Sequence, residues 1–269
     1  MVARASLHMW EEPCISGERG SGTVFFSGCP LGCVYCQNRE ISRGQYGKML
    51  SPGELSEVFM RLSDLGAHNI NLVTPTHYSK EIKEALNLAK EKGLNIPVVY
   101  NCSGYELCET LGDLEGLVDI YLTDFKYMDR KTAKKYSGAE DYPEVAAAAL
   151  DEMMRQCPEP LFDDEGMMKR GVIVRHLLLP GQLQNAKDVV RYVYDTFGDN
   201  AILSLMSQYT PVGDMSGYPE LERKVTAEEY DALVDYAWGL GVENAFIQEG
   251  EAASESFIPP FDLEGLEGF

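Results

Sequence analysis

Short apolar runs alternate with longer amphipathic stretches along most of the chain, and the two periods separate strands from helices. Runs rich in β-branched and aromatic residues predict strands over 22–28 (GTVFFSG), 69–75 (NINLVTP), 96–101 (IPVVYN), 118–125 (VDIYLTDF), 171–180 (GVIVRHLLLP), 201–208 (AILSLMSQ) and 244–248 (NAFIQ). Helical spacing predicts 52–65, 79–92, 142–156, 186–196 and 226–240. Ser51-Pro52 opens the first of these and Gly93 stops the second. Thr226, with Glu229 three residues on, supplies a capping box for the last. Segment 157–171 reads as a surface loop, and the Gly/Pro/Glu-rich tail as chain that packs over the fold or frays.

Strands and helices in alternation imply parallel βαβ units with right-handed crossovers, hence the α/β class. Seven strands without a Gly-rich dinucleotide fingerprint predict a full or partial (β/α) barrel rather than a small open sheet. Such barrels gather chemistry at the C-terminal ends of their strands. Those ends here are Cys29–Cys36, Thr74–His77, Asn101–Ser103, Asp124–Lys126, Arg175–Pro180 and Ser207–Tyr209. The expected organisation is a core barrel with an N-terminal extension over 1–249 and a tail over 250–269.

Composition narrows the function classes. Of 269 residues, 45% are hydrophobic, enough for a sizeable core. The net charge of −20 argues against nucleic acid, which wants a surplus of Lys and Arg. The opening MVARASLHMW has no apolar signal region, and no stretch reaches membrane-spanning length. A soluble, cytoplasmic protein is expected. There its seven cysteines stay reduced and point to metal or redox chemistry, not a disulfide framework.

Three of those cysteines, Cys29, Cys33 and Cys36, share one loop, FFSGCPLGCVYCQN, with the spacing CxxxCxxC. Structural zinc wants four ligands, usually from two separate pairs, and ferredoxin runs supply all four thiolates. Neither template fits. Three soft thiolates on one loop suit an iron–sulfur cubane with one iron left open to another ligand. Gly28 and Gly32 would let backbone amides approach the sulfurs. A zinc or buried-thiol site completed by Cys14 or His77 is the alternative.

CxxxCxxC with an aromatic before its last cysteine resembles the radical S-adenosylmethionine (SAM) superfamily, and GCPLGCVYCQN resembles its activating-enzyme branch. EEPCISG, NLVTPTHY, YNCSGYE, VDIYLTDFKYMD, VRHLLLPG, LMSQY and SESFIPPFD are similar to homologues of pyruvate formate-lyase activating enzyme. The resemblance implies a partial (β/α)6-type barrel with the cluster loop after the first strand. It also implies a 4Fe–4S cluster on Cys29, Cys33 and Cys36, with SAM filling the open iron and cleaved there to a 5′-deoxyadenosyl radical.

By the same resemblance, Asp124 and Lys126 of the Asp-x-Lys motif and Arg175 would position SAM, while Tyr35 and Asn38 would contact adenine. The residue-level alternatives are a strand-end salt bridge for Asp124 and Lys126 and a packing role for Arg175. Two departures stand out. VTPTHY replaces the branch's Gly-Gly-Glu-Pro stretch, so the Thr74 hydroxyl or local carbonyls would meet the SAM amino group. Asn101-Cys102-Ser103-Gly104 replaces Asp-Thr-Asn-Gly, which leaves the branch's monovalent-cation site without its aspartate.

His77 reads as structural and Cys102 as a buried inert thiol or a hydrogen donor. Cys14, Cys108 and Cys157 are too scattered for a second cluster. Arg130, Lys131, Lys134 and Lys135 form either a solvated helix face or a dock for an electron donor such as flavodoxin.

The implied reaction is hydrogen abstraction from a glycine of a partner polypeptide. No insertion above about fifteen residues is available as a lid, which favours a partner that closes the site itself. If the tail is the lid, a small-molecule substrate is favoured instead. From another class, a non-catalytic iron–sulfur carrier or a zinc-binding protein would need four protein ligands and no SAM.

Overall fold

The seven apolar runs become seven parallel strands, joined by two strands the periodicity does not reveal. The computed structural model describes residues 1–44, 46–248 and 259–269. In chain order its elements are β1 (Val2–His8), α1 (Pro13–Ser16), β2 (Ser21–Phe26), α2 (Arg39–Ser42), α3 (Pro52–Asp64), β3 (Ile70–Val73), α4 (Ser79–Glu91), β4 (Val98–Cys102) and α5 (Cys108–Asp113). There follow β5 (Ile120–Asp124), α6 (Arg130–Ser137), α7 (Tyr142–Gln156), β6 (Leu161–Phe162), β7 (Met168–Leu177), α8 (Leu183–Phe197), β8 (Ala201–Met206), α9 (Ala227–Leu240) and β9 (Ala245–Ile247). Both expected cap signals hold: Ser51 and Thr226 each accept from the amide three residues on, in complete capping boxes.

The sheet runs β1-β2-β3-β4-β5-β7-β8-β9, with β6 paired to β7 off this path. From β2 to β9 every neighbour along the path is parallel; β1 is antiparallel to β2. Among the described residues β1 and β9 do not pair, so the barrel is partial.

Alternation along each strand builds two environments. Ile70 and Leu72 of β3 pack against Leu55, Phe59 and Leu62 of α3 and Ile82 and Leu86 of α4. On the opposite face, Val99, Ile120, Leu122, Ile173 and Ile202 form an apolar layer. Cys14 and Ile15 of the short α1 turn join that layer, with Ile15 fully buried. Burying its side chain contributes about 2–3 kcal/mol. Two residues further along the same strands, on the same face, stand Asn101, Asp124, Arg175 and Ser204. A polar floor therefore lies above an apolar plug at the C-terminal end of the strands.

Several expectations need correction. The cysteine loop follows β2, the second strand of the chain, because β1 precedes it. Within 157–171, β6 pairs antiparallel with β7, Leu161 opposite Arg170, so β7 begins at Met168 rather than Gly171. The helix expected over 186–196 begins at Leu183. Of the tail, 250–258 lies outside the described residues. Residues 259–269 cover β1: Ala5 N–H donates to Glu264 O at 2.9 Å and Leu263 N–H to Ala3 O at 3.2 Å. That contact occupies the outer edge of β1, which would otherwise expose unpaired backbone. No helix among the described residues is long and apolar enough to cross a membrane.

Candidate functional site

The loop after β2 needs a glycine at its start. Gly28 has φ +96°, and a Cβ there would come 3.0 Å from His77 Cδ2. Gly28 N–H donates to Ile41 O at 2.9 Å. Farther along, Val34 N–H donates to Tyr136 O at 2.8 Å, and Arg43 Nη2 to Gly32 O at 2.7 Å. The loop is thus held between α2 and the end of α6. Cys33 Sγ lies 2.9 Å from Ser137 Oγ, which lies 2.8 Å from the Tyr127 hydroxyl; that hydroxyl is 2.6 Å from Tyr35 Oη.

Cys29, Cys33 and Cys36 line one cavity of about 250 Å³. Thr74, Asn101 and Asp124, from the ends of β3, β4 and β5, line it too, as do Lys126 and Arg175. Tyr35 and Asn38 complete its wall. Every residue singled out in the sequence as a cysteine ligand or SAM contact therefore reaches the same space. The Tyr35 hydroxyl is taken by Tyr127 and its ring meets Tyr209 edge-on at 6.4 Å, so a ligand would meet the ring and not the hydroxyl.

The donor set passes a chemical test for a cubane. Burial pushes the Cys29 thiol up to about 11 and raises Cys33 as well, while the Lys126 charge favours both thiolates. A metal would displace those protons. Among the described residues no three His, Cys, Asp or Glu groups converge tightly enough to hold one metal ion. The zinc alternative needs a fourth protein ligand at this cavity. Its supposed fourth ligands do not reach the cavity: Cys14 sits in the apolar plug and His77 is exposed.

Asp124 accepts from Lys126 Nζ at 2.5 Å and from Arg175 Nε at 3.0 Å. Burial pushes its carboxyl up, but these two cations outweigh burial and hold it below the usual range. Arg175 also donates from Nη2 to Asn101 Oδ1 at 2.6 Å and from Nη1 to Glu11 Oε2 at 3.2 Å. The strand-end ion pair and the ligand-facing arrangement are thus the same set of residues. Thr74 has φ +54°, rare for a β-branched residue, and its N–H donates to Asn101 O at 2.8 Å. Strain of this kind persists where surrounding structure over-determines it, commonly at binding sites.

Sequence reasoning assigned no role to Glu11, Glu12, Asn71, Tyr127, Ser137 or Ser204. Glu11 and Glu12 lie in the quoted EEPCISG stretch, yet two acids before a proline carry no signal of burial. Of the basic run, Arg130, Lys134 and Lys135 pair with Glu144, Glu140 and Glu220, so that helix face is largely neutralised. Cys102, at the end of β4, lines the cysteine cavity and donates toward Thr123 Oγ1 at 3.4 Å.

Nearby Glu106 is buried and accepts from Thr76 Oγ1 at 2.7 Å and Tyr100 Oη at 3.1 Å. Burial pushes its carboxyl up to about 7 despite those hydrogen bonds. The folded protein thus holds this proton more tightly than the unfolded chain does. The associated stability is full below about pH 4.5 and is lost as pH rises through 7. Glu106→Gln should flatten this part of the stability profile, removing on the order of 3 kcal/mol of variation between pH 4.5 and 8. Urea titrations at several pH values read the difference.

The sequence matches the Radical SAM superfamily over residues 23–191, more than half of the chain. The uncharacterized protein MJ0674 of Methanocaldococcus jannaschii is 31% identical over 240 residues, covering 86% of this chain. The chain spans 65% of that relative's length, just under two thirds. Among solved structures, Streptococcus suis SuiB bound to S-adenosylmethionine is similar with TM-score 0.57 and 13% identity, over 86% of this chain and 52% of that one. SuiB bound to its precursor peptide SuiA is similar with TM-score 0.57 and 14% identity, over 85% and 48%. These two likenesses show a shared fold. Taken with the family match, they place the chain in the radical SAM superfamily, whose members use a 4Fe–4S cluster and S-adenosylmethionine.

Proposed function

We propose that the chain is an enzyme that reductively cleaves SAM at a 4Fe–4S cluster held by Cys29, Cys33 and Cys36, and abstracts hydrogen from a polypeptide, with a glycine Cα as the target. The carrying observation is the single cavity that joins the three thiols to Asp124, Lys126 and Arg175. When bound, cluster and SAM together take one electron from a donor and supply methionine and a 5′-deoxyadenosyl radical. The chain's own residues orient and shield. Lys126 and Arg175 offer charge to a carboxylate, Asp124 accepts from a hydroxyl, and Asn38 and Thr74 add polar contacts at the rim.

None of these groups needs to move a proton, because radical formation depends on electron delivery and geometry. Support for a polypeptide comes from the fold shared with a peptide-bound enzyme. Glycine suits the reaction because no side chain shields its Cα hydrogen. The test is anaerobic reconstitution with iron and sulfide, then dithionite or a flavodoxin-type donor plus SAM. 5′-Deoxyadenosine should form, and its yield should rise with a glycine-containing polypeptide. A reconstituted cluster that binds SAM without cleaving it would refute the enzyme reading. Turnover unaffected by polypeptides but raised by a metabolite would move the assignment to a small-molecule substrate.

A further inference from the structure

A second cavity, of about 330 Å³, adjoins the cysteine cavity and shares Asn38, Asn101, Arg175 and Gln208 with it. Its charged wall holds Glu11, Glu12 and Arg175. The bonding of these three is unequal. Each nitrogen of the Arg175 guanidinium is engaged, with Asp124, Glu11 and Asn101. Glu11 is also satisfied: Oε2 meets Arg175, and Oε1 accepts from Asn71 Nδ2 at 3.0 Å and Asn101 Nδ2 at 3.2 Å. Glu12 is not. Its residue is 8% exposed, and its Oε2 is buried with no hydrogen-bond partner among the described residues.

The local charges repeat the imbalance. Three buried carboxylates, those of Glu11, Glu12 and Asp124, share two cations, Lys126 and Arg175. Both cations are bonded to Asp124, and Arg175 to Glu11 as well. Burial pushes the Glu12 carboxyl up, outweighing the attraction of Arg175 and a hydrogen bond with Ser204, and leaves one oxygen buried without a partner among the described residues, at a cost. The chain nevertheless fixes it in place. Pro13 begins α1 directly after Glu12, Ser16 Oγ accepts from Glu11 N–H at 3.0 Å, and Ile15 O accepts from Asn69 Nδ2 at 2.7 Å.

From these observations we infer that the second cavity is a substrate subsite that takes a cationic group, an ammonium or guanidinium on a flexible stem, with Glu12 as its counter-charge. The inference rests on the radical SAM reading for its meaning in catalysis. Trp10, Phe25 and Phe246 line the same cavity and suit an aliphatic stem carrying a positive end. Glu12 does not line the cysteine cavity, whereas Asp124 and Lys126 do, so the subsite lies beside the space assigned to SAM. A bare metal ion is a poorer occupant, since no three acidic or other ligating groups converge there among the described residues. The polypeptide would thus carry a lysine- or arginine-type residue next to its reacting position.

The test uses the full chain, reconstituted anaerobically with cluster and saturated with SAM. Three acetylated tripeptide amides, Gly-Xaa-Gly with lysine, norleucine or glutamate at the centre, are titrated calorimetrically. The lysine peptide should bind at least tenfold more tightly than the norleucine peptide, as expected for a charge-assisted hydrogen bond in a dry site, and the glutamate peptide should be weakest. Glu12→Gln should erase the lysine preference while the cluster absorbance reports that the fold persists. Equal binding of lysine and norleucine peptides, or no binding of any, overturns the inference. So does a Glu12→Gln variant that loses SAM affinity tenfold but keeps the peptide preference. A lysine preference without 5′-deoxyadenosine formation upholds the subsite and refutes the enzyme reading; 5′-deoxyadenosine without that preference does the reverse.

Discussion

Alanine at Cys29, Cys33 or Cys36 is expected to abolish the visible absorption of the reconstituted cluster and, with it, all formation of 5′-deoxyadenosine. Each thiol lines the same cavity on a loop held by backbone hydrogen bonds, so none can be replaced by a neighbour swinging in. The decisive control is Cys102, a fourth thiol on the same cavity wall. It is buried, with its thiol pushed well up by burial, and its sulfur donates toward Thr123. Cys102→Ala should leave the absorption intact, because the open iron is reserved for SAM. Loss of the cluster in this variant would mean four protein ligands, and the electron-carrier reading would take over. Cys14→Ala and Cys157→Ala, neither of which lines the cavity, should also leave the cluster in place.

Arg175→Ala should be the most damaging change at a non-cysteine position. Removing one partner of a buried ionic network costs about 3–5 kcal/mol, since the remaining charges stay buried without compensation. Asp124 would keep Lys126, but Glu11 would lose the one cation it pairs with among the described residues. For a chain of this size the melting temperature should fall by about 10 °C. SAM affinity should fall as well, through the lost guanidinium and through a displaced Asn101. Arg175→Lys should rescue only part of either loss, because an ammonium cannot span Asp124, Glu11 and Asn101 at once.

The pH dependence separates this explanation from a packing defect. In the wild type Asp124 lies below the usual carboxylate range. Its contribution to stability is therefore present above the unfolded value and lost on acidification. Without Arg175, Asp124 loses one of the two cations that hold it down, and Glu11 and Glu12, already raised by burial, hold their protons more tightly still. Arg175→Ala should lie closer to wild-type stability at pH 5 than at pH 8. A constant gap across that range would indicate lost packing instead.

How far the sequence reached depends on how local each feature is. All seven parallel strands and five of the helices were legible, because each is a run whose periodicity lies within its own residues. The cysteine loop was legible for the same reason, as was the Asp124–Lys126 pair two residues apart. β1 was not legible: Arg4 interrupts its apolar pattern and is stabilised there largely by Pro260 O, Asp262 and Glu264, far along the chain. β6 was hidden by brevity and exposure.

At the site, sequence position announced Arg175 as a strand-end residue and resemblance suggested its ligand. Only the folded chain shows that it joins Asp124, 51 residues away, to Glu11, 164 residues away. Glu11 and Glu12 look like surface acids in sequence, and the α1 turn carries them into the interior. Thr74 likewise gives no hint of its left-handed backbone. A hydrophobic run commits to burial by its own composition, so local sequence determines it. A buried charge is tolerable or costly according to partners that only tertiary structure supplies, and for that reason the ionic floor and the unpartnered Glu12 oxygen were decided by the fold.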